Sequence, residues 1–228
     1  MKIFAATLLG FGLLGFAVNS SAWDIYSNTN AAGDLNYNFS TGNLKVGDEF
    51  VPAAGGFLNH IDFQYYLTNS SGNEYVQIWL YQNDGTGTVL DNRTAYAPST
   101  ALFTSSLFNV GAFGDTTRAT LNYDAGSDFA ANSIFISGSV NLTLAIQFTG
   151  IDPGEDVGLS LYDFPTVGGN YNSYWEFNGS WALSTNTLTP NGYVDFGMRI
   201  DAVPEPSAIS LVLMSGLVLL GFRRFARK

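Results

Sequence analysis

Apolar and polar residues change places at every second position in one short segment of this chain after another. Ile61, Phe63, Tyr65 and Leu67 alternate with Asp62, Gln64 and Tyr66, and Val76, Ile78 and Leu80 with Tyr75, Gln77, Trp79 and Tyr81. The longest run places Val140, Leu142, Leu144, Ile146 and Phe148 between Asn141, Thr143, Ala145, Gln147 and Thr149. Val157, Leu159 and Leu161 follow, and Val194, Phe196, Met198 and Ile200 close the series opposite Asp195, Gly197, Arg199 and Asp201. A period of two sends successive side chains to opposite faces of a strand, so each segment is expected to turn one face to a core and the other to water. Weaker strands read over 102–108, 118–123 and 134–137, and no segment of the body shows a convincing 3.6-residue period. Turn chemistry separates the runs: Asn69-Ser70-Ser71-Gly72-Asn73, Asn83-Asp84-Gly85-Thr86-Gly87 and Asp152-Pro153-Gly154-Glu155. The expectation is an all-β fold, an antiparallel β-sandwich of eight to ten strands and jelly-roll-like, forming one domain over 23–202. The polar, Asn-rich stretch from Trp23 to Lys45 reads either as a loose arm or as a first edge strand.

The same body carries four basic residues, Lys45, Arg93, Arg118 and Arg199, against 18 acidic ones, a net charge of −14. Such a charge points away from nucleic acid and from anionic lipid surfaces as partners. There is no cysteine and a single histidine, His60. Thiol catalysis, thiolate metal sites and disulfide stapling are thereby removed, and stability must come from the core.

Both ends differ from the body. After Met1-Lys2, the segment from Ile3 to Val18 is apolar apart from Thr7, and Ser20 and Ala22 supply small residues at −3 and −1. This is the pattern of a secretory signal peptide, a helix over 1–22 cut between Ala22 and Trp23. At the other end, Val203-Pro204-Glu205-Pro206 precedes an uncharged apolar run from Ala208 to Phe222 and the basic residues Arg223, Arg224, Arg227 and Lys228. The run holds 15 residues, so as a helix it reaches about 22 Å. A hydrocarbon layer is roughly 30 Å thick. A transmembrane helix this short suits a temporary anchor, and the cations behind it favour a cytoplasmic C-terminus. Prolines 204 and 206 keep the motif extended and open to a peptidase.

The tail, 26 residues from Val203 to Lys228, resembles the PEP-CTERM sorting signal of exported proteins in Gram-negative bacteria. The resemblance implies delivery by the secretory translocon, brief holding in the inner membrane, and recognition by a membrane-embedded exosortase. It further implies cleavage near Pro204-Glu205-Pro206 and release to the cell surface or extracellular matrix, a setting associated with exopolysaccharide and biofilm.

Within the body, His60 and Asp62 would point the same way on a strand, but no Gly-x-Ser-x-Gly elbow accompanies them; Ser137-Gly138-Ser139 lacks the leading glycine. Asp163, Glu176 and Asp195 are the carboxylates nearest to aromatics and would be the acids of a glycosidase. Asp84 with Asp91, and Asp152 with Glu155 and Asp156, put hard oxygen ligands on loops and would suit Ca2+, although both sites are equally good turns. No other cofactor is expected. The segment 171–181 is dense in rings, amides and hydroxyls; Tyr174, Trp175 and Trp181, joined by Trp79 and Tyr81, would stack on sugar faces or pack a core. The expected function is that of an exported, non-enzymatic, structural or adhesive surface protein with polysaccharide as a ligand. The alternatives are a secreted enzyme acting on extracellular polysaccharide, and a surface protein that stays anchored without processing.

Overall fold

The computed structural model describes residues 21–29, 37–90, 93–138, 140–162, 165–185 and 195–205. The expected signal helix, apart from Ser21 and Ala22, and the expected membrane helix over 208–222 lie outside these residues, as do Pro206 and the basic end. Among the described residues no helix is long and apolar enough to cross a membrane.

In chain order the strands are β1 (Trp23–Ser27), β2 (Tyr37–Ser40), β3 (Lys45–Val51), β4 (Gly56–Thr68), β5 (Tyr75–Gln82), β6 (Gly87–Leu90), β7 (Arg93–Tyr96), β8 (Thr100–Thr104) and β9 (Phe108–Asn109). They continue with β10 (Thr116–Asp124), β11 (Phe135–Ile136), β12 (Leu142–Thr149), β13 (Asp156–Tyr162), β14 (Gly169–Phe177), β15 (Trp181–Thr185), β16 (Asp195–Phe196) and β17 (Met198–Val203). One sheet, A, has the order β1-β17-β4-β13-β16, with β10 and β11 also on β4 and β2 also on β13. The other, B, runs β15-β14-β3-β12-β5-β8, with β9 on β5, and β6-β7 form a separate hairpin. The recorded strand pairings are antiparallel. The architecture is the expected all-β sandwich. The expected count of eight to ten strands was too low, because β3, the β6–β7 hairpin and the β14–β15 hairpin carry no clean alternation and the last run is split at Gly197 into β16 and β17. The Asn-rich start resolves into two strands, β1 paired with β17 and β2 paired with β13.

The apolar residues of the alternating runs meet between the sheets. Ile61, Phe63 and Leu67 of β4, Val76, Ile78 and Leu80 of β5, and Leu142, Leu144, Ile146 and Phe148 of β12 are all fully buried in one cluster. Val157 and Leu159 of β13, and Met198 and Ile200 of β17, belong to the same cluster. At about 1.5–3 kcal/mol per buried side chain of this size, this is the main favourable term of folding.

The other half of the expectation fails on sheet B. Thr143 and Ala145, on the polar side of β12, are as buried as the core, and so are Glu49 of β3 and Trp175 of β14. The middle of the face that alternation assigns to water is covered.

Candidate functional site: the outer face of sheet B

Register explains the covering. Gly47 pairs with Trp175 on one side and Ala145 on the other, and Ala145 pairs in turn with Trp79. Directly opposed residues share a face, so small residues at the centre are flanked by two tryptophans. The small residues form a hollow with larger side chains on either side. A Cβ on Gly47 would stand 2.5 Å from Thr143 Cγ2 and 3.3 Å from Ala145 Cβ, so only glycine fits.

Around the hollow, Lys45 Nζ lies 3.5 Å from the centroid of the Trp79 ring, 5.0 Å from Tyr81, 5.4 Å from Phe177 and 5.5 Å from Trp181. It donates a hydrogen bond of 2.8 Å to the Tyr81 hydroxyl. Trp181 meets Tyr81 and Phe177 edge-on, at 5.7 and 5.1 Å between centroids. Lys45 is 9% exposed, and burial pushes its ammonium down to about 8. Ring-cation contacts of this kind are worth ~0.5–1 kcal/mol each at exposed sites and about 2 when desolvated.

On the far side of the hollow, Arg93 of the β6–β7 hairpin grips the same face. Its guanidinium reaches Glu49 Oε1 and Oε2 at 3.3 and 3.1 Å and Ser173 Oγ at 2.9 Å, and it stacks 3.6 Å from the Tyr171 centroid. Asn141 Nδ2 donates a further 2.7 Å bond to Glu49 Oε1. Glu49 is fully buried, and Ala95 is the buried residue of the hairpin, while Val89 and Tyr96 are exposed. The hairpin is thus held by one charge-assisted fork more than by apolar contact.

The residues expected to contact sugar are divided by this arrangement. Trp181 is half-buried at the rim, with Trp79 and Tyr81 beside it. Trp175 is 1% exposed and its indole Nε1 has no acceptor, so it offers no ring face to a ligand; the flanking small residues let its neighbours close over it. Tyr174 lies on the opposite side of β14, edge-on to Phe39 at 5.1 Å, with its hydroxyl donating 2.7 Å to Glu176 Oε1. Burial, then Glu176, pushes that phenol up to about 12. Sequence reasoning missed Lys45 and Phe177. The available signal was that a body with four cations places one of them two residues before Gly47 on the central strand of the aromatic face.

The remaining candidates sit elsewhere. His60 Nδ1 bonds Asp124 Oδ1 at 2.5 Å and Nε2 bonds Asp62 Oδ2 at 3.2 Å. Burial alone would lower the imidazole, but the bonds to Asp124 and Asp62 hold it above its ordinary pKa. A ring with both nitrogens engaged by carboxylates is a clamp between β4 and the end of β10, with no nitrogen left to activate a nucleophile. Arg199 Nε stands 3.1 Å from Asp62 Oδ2, without hydrogen-bond alignment. Asp195 is buried beside Asp48, whose Oδ2 accepts from Phe196 N at 2.8 Å and Asn170 Nδ2 at 3.0 Å. Burial, then Asp195, raises the Asp48 carboxyl well above the usual range. Asp163 and Asp91 lie outside the described residues. In the loops considered for Ca2+, Asp84 accepts from Thr100 N and Oγ1 at 3.0 and 2.7 Å, and Glu155 accepts from Asp152 N at 2.6 Å and Ser71 N at 2.9 Å. The Asp152–Glu155 bond closes a turn, and the others tie separate segments together. Among the described residues no three His, Asp or Glu gather as a metal cluster.

Comparison of the chain with protein-family models, with curated proteins and with solved structures found no match.

Proposed function

We propose that this is an exported, non-enzymatic surface or matrix protein, cut at both ends and released as a β-sandwich with a structural or adhesive role. The observation that carries the reading is the pairing of β1 with β17, in which Trp23 faces Ala202. The two expected processing points, Ala22–Trp23 and Val203–Pro206, thereby lie within a few residues of one register pair. Ser21 and Ala22 before β1 are exposed, as is Glu205 after β17. Residues Trp23–Ala202 form one compact unit containing both sheets. Cutting at these points leaves the core and the sheet pairings of that unit in place. The orders β2-β13-β4-β10 and β3-β12-β5-β8 support a jelly roll as the finer description. The N-terminal signal helix and the C-terminal membrane helix complete the proposed precursor, with an exosortase, the translocon and the inner membrane as its passing partners.

The test is intact mass spectrometry of the protein recovered from the medium of a Gram-negative host that carries an exosortase. A mass running from Trp23 to the Val203–Pro206 neighbourhood is expected. A secreted species that keeps Phe222 and the residues behind it overturns the reading.

A further inference from the structure

The register of sheet B lines up one continuous row across its outer face. Trp181 faces Phe177, Phe177 faces Lys45, Lys45 faces Gln147, and Gln147 faces Gln77. These five positions cross five strands, about 19 Å at the usual strand spacing. The row is accessible where the Arg93 side is not: Phe177 is exposed, and Trp181, Gln147 and Gln77 are half-exposed.

The two glutamines are oriented. Gln77 Nε2 donates 2.7 Å to the Ser105 carbonyl, and Gln147 Nε2 donates 3.1 Å to the Asn43 carbonyl. One hydrogen of each amide nitrogen is engaged by backbone, which orients the side chain and leaves Oε1 as a fixed acceptor, with no donor to it among the described residues. Rings at one end of a strip and fixed acceptors at the other match a sugar polymer, which presents C–H faces and hydroxyl donors in turn.

We propose that this row is a binding track for a neutral polysaccharide, with Phe177 and Trp181 stacking on sugar faces and Gln147 and Gln77 accepting hydroxyl protons. The proposal deepens the adhesive reading above and rests on it for the source of the ligand. Neutral sugar is favoured over acidic sugar by charge. The body carries −14, and Lys45, the cation within the row, is turned into its rings and the Tyr81 hydroxyl. A polyanion would meet long-range repulsion with no presented cation to offset it.

The test is electrophoresis in native gels cast with hydroxyethyl cellulose, with dextran or with alginate, using protein from the medium or, if it stays in membranes, the full chain in detergent. Retardation by at least one neutral glucan is expected. Trp181→Ala and Phe177→Ala should each weaken it tenfold or more and Gln147→Ala several-fold. Phe113→Ala removes an exposed ring that is off the row, and should change nothing. Normal mobility of folded protein in both neutral gels, retardation by alginate alone, or an equal loss in Phe113→Ala overturns the proposal. If the ring variants fail to fold, Gln77→Leu and Gln147→Leu, which remove the acceptor oxygens, take their place, and undiminished retardation in both is then the overturning result. Retardation by a chain that keeps Phe222 would sink the processing reading alone, whereas a correctly trimmed chain that ignores both glucans would sink only the track.

Discussion

Arg93 and Lys45 lie over the same face of the same sheet, yet the protein holds them in opposite ways. Arg93 is paired with a fully buried carboxylate through two parallel contacts and stacked on Tyr171. Lys45 has rings and one phenolic oxygen around it and no salt bridge among the described residues. A planar guanidinium matches a carboxylate fork and a ring face at once, whereas an ammonium is a compact charge that gives up more hydration when enclosed. The difference is one between a structural rivet and a hidden charge: the hairpin depends on Arg93, while the rim of rings around Lys45 stays partly open.

Substitutions at four positions would break or sharpen that contrast. Arg93→Ala should cost most, about 3–5 kcal/mol in urea unfolding, because it leaves Glu49 buried without its cation. Arg93→Lys should recover less than half of the loss, since an ammonium cannot reproduce the fork and the stack. An equal stability for Arg93→Ala and the parent would remove the rivet. Next, Gly47→Ala should cost about 1–3 kcal/mol by overpacking against Thr143 and Ala145; a neutral result would mean that the Thr143 side chain gives way easily.

Lys45→Met, which keeps most of the volume, should change stability by less than about 1.5 kcal/mol. Its sharper signature is in pH. Burial lowers the folded-state ammonium to about 8 from an ordinary 10.5. Between those values the unfolded chain binds more protons than the folded one, so stability rises with pH across that window. The methionine variant should lose that rise, as followed by thermal unfolding from pH 7.5 to 10.5, and a slope that persists would place the titration elsewhere. Asp48→Asn should matter least in acid. Burial raises the folded-state carboxyl, so its contribution is fully present below the unfolded carboxylate pKa and is lost as pH rises through the folded value. The amide should match the parent at low pH and exceed it near neutrality. A variant less stable than the parent at both ends would show that the carboxylate form is the native one.

The alternation in β4, β5, β12 and β13 was sufficient to assign the inward residues, since a one-residue slip would have exposed every one of them. The same pattern misjudged the other side of sheet B. Thr143 and Ala145 alternate as solvent residues should, but are buried on a face where the Thr143 side chain closes over Gly47, Ala145 lies between Gly47 and Trp79, and Arg93 of the hairpin grips Glu49 in the adjoining row. The aromatic segment 171–181 was recognisable as a concentration of rings. Its division was not: Trp175 and Tyr174 are neighbours in sequence, and parity on β14 sends one under the roof and the other to the opposite face. His60 and Asp62 were correctly expected to point the same way, but the meeting of His60 with Asp124, which turns the pair into a clamp, spans 64 residues.

Local periodicity and turn residues were enough to specify an all-β chain with one core, because they depend on interactions between residues near each other along the backbone. Which strands are neighbours was decided only by the tertiary fold. That choice set Lys45 among four rings, Arg93 on Glu49, and two oriented amides in line with Phe177 and Trp181. A side chain's partners across a sheet are fixed by strand order and register, and neither is written in any single segment.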